Sequence, residues 1–83
     1  MNQQKEPAKP YTLDMLNIGE SAVIGKIAES CRMKNRLTDL GFCPGEKIVY
    51  AMISPLGDPR AYVIRGAVIA LRKHDAEQVI INK

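Results

Sequence analysis

The side chains able to do covalent or acid–base chemistry are few in this chain. A single histidine, His74, sits in the polar stretch Lys73-His74-Asp75-Ala76-Glu77, and two cysteines, Cys31 and Cys43, stand twelve positions apart. A nucleophile needs a base positioned beside it, and no such pairing is present locally. Cys31, Cys43 and His74 together are one donor short of a closed zinc site and lack the Cys-x-x-Cys spacing, so no metal and no cofactor is expected. Asp39, Glu46, Asp58, Asp75 and Glu77 are scattered, which fits caps and turns better than a general acid and base. Neither Gly-x-x-x-x-Gly-Lys-[Ser/Thr] nor Gly-x-Gly-x-x-Gly occurs, so no loop of known type cradles a phosphate. The expected activity is therefore binding, not catalysis.

For binding, charge is the first guide. Twelve Lys and Arg against nine Asp and Glu give a formal charge of +3, a mild preference for acidic partners. Arg32, Lys34 and Arg36 form a basic cluster that could meet phosphates or an acidic protein surface. Tyr11, Phe42, Tyr50 and Tyr62 are the only aromatics, and two of them fall in strand-like segments, so a base-stacking platform is poorly supported and nucleic acid is not the expected partner. The longest apolar run, residues 48–53, is far below the roughly 20 residues of a spanning helix. Residues 1–10 carry no apolar leader stretch, and with the cysteine usage this points to the cytoplasm.

The elements that must position these residues are short. Residues 1–10, polar and ending with Pro7 and Pro10, read as a flexible tail, leaving 11–83 as a single domain. Thr12 is a candidate cap for one helical turn that turns Leu13 and Leu16 inward. Residues 21–28 form a β-branched strand bent or bulged at Gly25. Met33, Leu37 and Leu40 recur at helical spacing, predicting a short amphipathic helix over 30–40. Gly41 and Phe42 would close that helix in a Schellman motif, and Pro44-Gly45 would set a type II turn. Residues 47–54 are apolar on alternate positions of both faces, as in a central strand covered twice. Pro55-Leu56-Gly57-Asp58-Pro59 breaks the pattern, and strands at 61–64 and 67–71 flank a turn at Arg65-Gly66. One helical turn over 73–77 precedes a last strand at 79–81. About five strands, one amphipathic helix and a final helical turn give a mainly β fold, a small SH3-like barrel.

The run Arg36-Leu37-Thr38-Asp39-Leu40-Gly41-Phe42-Cys43-Pro44-Gly45, then Gly57-Asp58-Pro59 and Ala70-Leu71-Arg72, resembles FeoA, the small cytosolic component of bacterial ferrous-iron uptake. Leu13, Leu16, Gly19 and Glu20 stand where that family carries its opening Leu-x-x-Leu-x-x-Gly-Glu, so the resemblance extends from Tyr11 to Ile81. It implies an SH3-like barrel and a role beside the membrane-embedded ferrous-iron permease, whose cytosolic region holds a GTP-binding domain. It implies no catalytic site. On that basis Arg32, Lys34 and Arg36, together with the loop Leu56, Gly57 and Asp58, are the candidate permease-binding residues. An arginine offered to the permease's GTPase would come from Arg36, Arg60, Arg65 or Arg72. Two other readings stay open. One is a regulatory module similar to the C-terminal domain of iron-dependent repressors, against which stand the lack of a DNA-binding helix-turn-helix and the start at Met1; the other is an RNA-binding barrel. Free strand edges also leave room for self-association.

Overall fold

The computed structural model describes residues 11–82, so the tail expected over 1–10 lies outside the described residues. A 3-10 turn at Leu13–Met15 is followed by β1 (Ser21–Ile27), α1 (Lys34–Asp39), β2 (Lys47–Ile53), β3 (Arg60–Ile64), β4 (Ala67–Leu71), α2 (Lys73–Ala76) and β5 (Val79–Asn82). The strands form one antiparallel sheet in the order β4-β3-β2-β1-β5. Among the described residues β4 and β5 are its edges, and α2 connects the end of one to the start of the other.

β1 shows how the sequence makes one buried face. Ala22, Ile24 and Ile27 are buried, and the step of three between the last two breaks the period of two that a strand imposes. The pairing register with β5 shifts at that point, between Ile24 and Lys26. Gly25 is the extra residue; a Cβ there would come 3.1 Å from the Ile80 carbonyl oxygen. The predicted bulge is present, and the close approach of β5 backbone is a reason for glycine.

β2 departs from expectation. It is central in the sheet, but only its first half is covered: Ile48 and Tyr50 are buried, whereas Ala51, Met52 and Ile53 are exposed. A second register shift, between Tyr50 and Met52 against β3, inserts Ala51 and ends the inward alternation. Apolar composition on both faces therefore does not mean cover on both faces. The inward residues that remain, with Tyr62, Ile64, Leu71, Val79 and Ile81 from the other strands, form the core, and Leu13, Leu16, Leu37, Phe42 and Ala76 cap it.

The helix predicted over 30–40 is shorter, Lys34–Asp39, and consists of six residues. Two tight turns precede it, the Cys31 N–H donating to the Ala28 carbonyl at 3.0 Å and the Lys34 N–H to the Cys31 carbonyl at 3.2 Å. The Ser30 hydroxyl is drawn away to the Gln78 side-chain oxygen, 3.2 Å, and Met33 at the N-cap offers no cap bond. The C-terminus follows the prediction. Gly41 has φ +109°, its N–H donates to the Thr38 carbonyl at 3.0 Å, and the Phe42 N–H donates to the Leu37 carbonyl at 2.9 Å. These are the two bonds of a Schellman motif, and its apolar pair, Leu37 and Phe42, is buried.

The turns agree as well. The Glu46 N–H donates to the Cys43 carbonyl across Pro44-Gly45, with Gly45 at φ +92°, as a type II turn requires. Arg65 and Gly66, both at positive φ, join β3 to β4 in a two-residue hairpin. Thr12 stands at the N-cap of the 3-10 turn as predicted, but its hydroxyl donates to the Asp14 carboxylate and caps no backbone group.

Candidate functional site

The six candidate residues fall on the β2–β3 loop and on the turns and first part of α1. Leu56, Gly57 and Asp58 belong to the β2–β3 loop. Leu56 stands at its tip, 93% exposed, and Gly57 closes the bend with its N–H donating to the Ser54 carbonyl at 2.9 Å. Asp58 is committed to the fold. One carboxylate oxygen accepts the Lys73 N–H at 2.8 Å, and the other lies 4.0 Å from the Arg72 guanidinium. The residue before α2 is Arg72, which has no acceptor to offer the first N–H groups of the helix. Asp58 supplies it from across the chain.

The next residue of α2, His74, faces the second segment. With Asp75 and Gln78 it lines an open cleft of about 500 Å³ whose other wall is Ser30, Cys31, Arg32 and Met33. α2 thus meets both segments, Asp58 at its first residue and Arg32 across the cleft from its second. Lys34, on the first turn of α1, is paired with Glu29 at 2.8 Å. That hydrogen bond and charge hold the Glu29 carboxyl below its usual range. Arg32 and Arg36 are exposed and form no ion pair among the described residues, which leaves them as the open cations of the cluster.

The arginines considered for a GTPase are not equivalent. Arg60 is turned inward: its Nη1 donates to the Asp14 carbonyl at 2.8 Å, and its guanidinium stacks 5.3 Å from the centre of the Tyr50 ring. Tyr50 and Tyr62 pack with ring centres 5.1 Å apart. The Tyr62 hydroxyl is buried without a hydrogen bond, and burial pushes its pKa up, against the opposing pull of Arg60. Arg65 leans against Gly41 and reaches Glu46 at 3.4 Å. Arg36, Arg65 and Arg72 are exposed; Arg60 is not free to reach a partner.

The three soft side chains do not converge. Cys31 and His74 line the cleft, while the Cys43 thiol donates to the Thr38 carbonyl at 3.8 Å. Among the described residues, no group of three His, Cys, Asp or Glu is placed to hold a metal ion. Nor is any helix there long and apolar enough to cross a membrane. The cleft beside His74 was not foreseen, because 43 residues of chain separate Arg32 from Asp75 and no motif links them.

Against solved structures, the chain is similar to a FeoA protein from Chlorobium tepidum, at 29% identity over 87% of this chain and 69% of that one, TM-score 0.80. It is similar to Stenotrophomonas maltophilia FeoA complexed with zinc, described as a procaryotic SH3 domain protein, at 28% identity over 87% and 89% of the two chains, TM-score 0.77. T. acidophilum IdeR shares the fold alone, at 20% identity over 95% of this chain and 36% of that one, TM-score 0.75. No curated protein matches the sequence. The five-stranded sheet is thus the SH3-like one expected from the sequence. The FeoA domain model matches residues 11–83, the described domain from its first residue onward, and the chain belongs to the FeoA family.

Proposed function

We propose that this protein is a non-enzymatic, cytoplasmic accessory factor of bacterial ferrous-iron uptake that binds the cytosolic GTP-binding region of the ferrous-iron permease and supports its transport. The observation that carries the reading is the family match over residues 11–83. The description of the Stenotrophomonas relative as a candidate activating factor for ferrous-iron transport agrees with it. The contact surface is formed by Arg32 and Arg36, with Lys34 beside them, and by the loop tip at Leu56 and Gly57, the two parts flanking α2. Asp58 belongs to this surface as its organiser, since its carboxylate fixes the loop to Lys73. Phosphate-rich or acidic protein surfaces complement the open cations.

The test is a calorimetric titration of this protein against the permease's cytosolic region, with and without guanine nucleotide. Saturable binding that weakens at least tenfold on joint charge reversal of Arg32, Lys34 and Arg36 supports the reading. Binding that ignores the reversal removes the basic cluster from the interface, and absence of binding in every nucleotide state removes the partner. Permease GTP turnover measured in the same mixture reports any effect on hydrolysis.

A further inference from the structure

The hairpin β3–β4 fixes which backbone groups face outward. Across its two-residue turn, Ile64 pairs with Ala67; in such a hairpin that pair exchanges both hydrogen bonds, and every second pair after it does the same. Tyr62 with Ile69 and Arg60 with Leu71 are therefore the bonded pairs. Val68 and Ala70 point their N–H and C=O groups away from β3, toward the free edge of the sheet. No other described strand lies there, and neither residue makes a backbone hydrogen bond to a loop among the described residues. The other edge differs: the Ile81 N–H of β5 donates to the Tyr11 carbonyl at 2.8 Å, and Thr12 bridges Ile80, so the incoming chain covers it.

The β4 edge also lacks the usual protection. Ala67-Val68-Ile69-Ala70-Leu71 contains no charge and no proline, and Val68 is 68% exposed. Natural edges are ordinarily blocked by such residues, because an open row of donors and acceptors pairs with other strands. Here the charges are at the two ends, Arg65 before the strand and Arg72 and Lys73 after it. The ion pairs of Arg65 with Glu46, 3.4 Å, and of Arg72 with Asp58, 4.0 Å, are long and exposed, and Lys73 has none among the described residues. Each end can therefore accept a further carboxylate.

These charges choose the occupant. If β4 paired antiparallel with a second copy about Ile69, Arg65 beyond one end of each strand would be brought toward Arg72 and Lys73 of the other chain at both ends of the ladder, and like charges brought together are destabilising. We propose that the open edge of β4 binds an extended segment of another protein as an additional strand, its central residues uncharged and its two ends acidic. Val68 and Ala70 provide the hydrogen bonds, and Arg65 with Arg72 and Lys73 clamp the ends. This deepens the proposed function, resting on it only for the source of the segment, the permease's cytosolic region.

The probe is the synthetic peptide Asp-Glu-Val-Thr-Val-Thr-Val-Glu-Asp, titrated into the isotope-labelled full chain and followed by amide chemical shifts and amide hydrogen exchange. The expected result is saturable shifts and slowed exchange at Val68 and Ala70. Loss of binding is expected for the same peptide N-methylated at alternate residues, and at least tenfold weakening for the double variant Arg72→Glu, Lys73→Glu. Val68→Pro, which removes one edge donor, should abolish binding; the N-methylated peptide gives the same answer with the protein unaltered. The proposal is overturned by unshifted Val68 and Ala70 amides at millimolar peptide, by shifts confined to the Cys31–His74 cleft, by equal binding of the N-methylated peptide, or by self-association through β4. A permease region that binds wild type and Val68→Pro equally would also overturn it while leaving the proposed function standing. Peptide binding at β4 without permease binding would uphold the edge as a site and remove the permease as the partner.

Discussion

Asp58→Ala separates two roles that the β2–β3 loop combines. The lost carboxylate is the only side-chain acceptor for the first N–H of α2, and removing a helix-capping acceptor costs about 1 kcal/mol, within a range of roughly 0.5–2. The pair with Arg72, long and exposed, adds at most about 1 kcal/mol. A total near 1.5 kcal/mol corresponds to a fall in Tm of roughly 6–12 °C for a domain of this size. The assay is thermal unfolding followed by circular dichroism. Asp58→Asn keeps an oxygen able to accept the Lys73 N–H and should lose less than half as much. Leu56→Ala, at a tip in contact with solvent, should stay within about 0.5 kcal/mol of wild type yet weaken permease binding. A wild-type Tm for Asp58→Ala would refute the capping argument. Equal losses for Asp58→Asn and Asp58→Ala would place the effect in the charge and not in the hydrogen bond.

Three further outcomes follow from the same geometry. Gly41→Ala forces a side chain into φ +109° and brings its Cβ 2.7 Å from the Arg65 Cδ, so a loss of about 1–3 kcal/mol is expected in denaturant unfolding. Phe42→Ala empties a fully buried position packed by the Schellman motif and should cost about 3–5 kcal/mol, a large part of the stability of so small a domain, read in the same titration. Tyr62 should govern alkaline behaviour. Its folded-state pKa is raised by burial, so the stability it contributes is complete below the unfolded value of about 10 and is lost as pH climbs through the raised folded value. Tyr62→Phe should remove that alkaline decline and, because the hydroxyl has no hydrogen bond, leave neutral-pH stability unchanged or slightly higher.

Much of the fold was legible because local chemistry and tertiary structure agree. Gly41, Pro44-Gly45 and Arg65-Gly66 each need a backbone conformation that few residues adopt, so their types announce the helix end and both turns. Gly25 announced a bulge for the same reason. What misled was apolar content without a geometric marker. Met52 and Ile53 look like core residues, but the bulge at Ala51, which carries no glycine to signal it, turns this half of β2 out of the core. The helix over 30–40 read too long because Met33 keeps helical spacing with Leu37 and Leu40, yet it stands at the N-cap and the residues before it are in tight turns. For the candidate site, the sequence identified residue types but not their neighbours. Lys34 and Asp58 are as charged as predicted, but partners already occupy them, and nothing local places His74 opposite Arg32.

The residues that identify the family and the candidates for a partner overlap only at Arg36, Gly57 and Asp58. Gly41 and Phe42 are explained by φ angle and burial, and Pro44 and Gly45, though exposed, by the turn they set. Arg32 and Leu56, in turn and loop, and Arg36, on α1, are exposed, and neither arginine forms an ion pair among the described residues. α2 connects the two sides of that surface, because its first residue receives Asp58 and its second lines the cleft with Arg32. With only four residues, it depends on those contacts more than on its own hydrogen bonds. A partner that engages the loop strongly enough to pull Asp58 from Lys73 would thus release the helix beside Arg32 as well. Asp58→Ala is therefore expected to speed amide exchange at His74 and Asp75 as well as at Lys73, and unchanged exchange at His74 and Asp75 would show that the loop and the Arg32 side are independent.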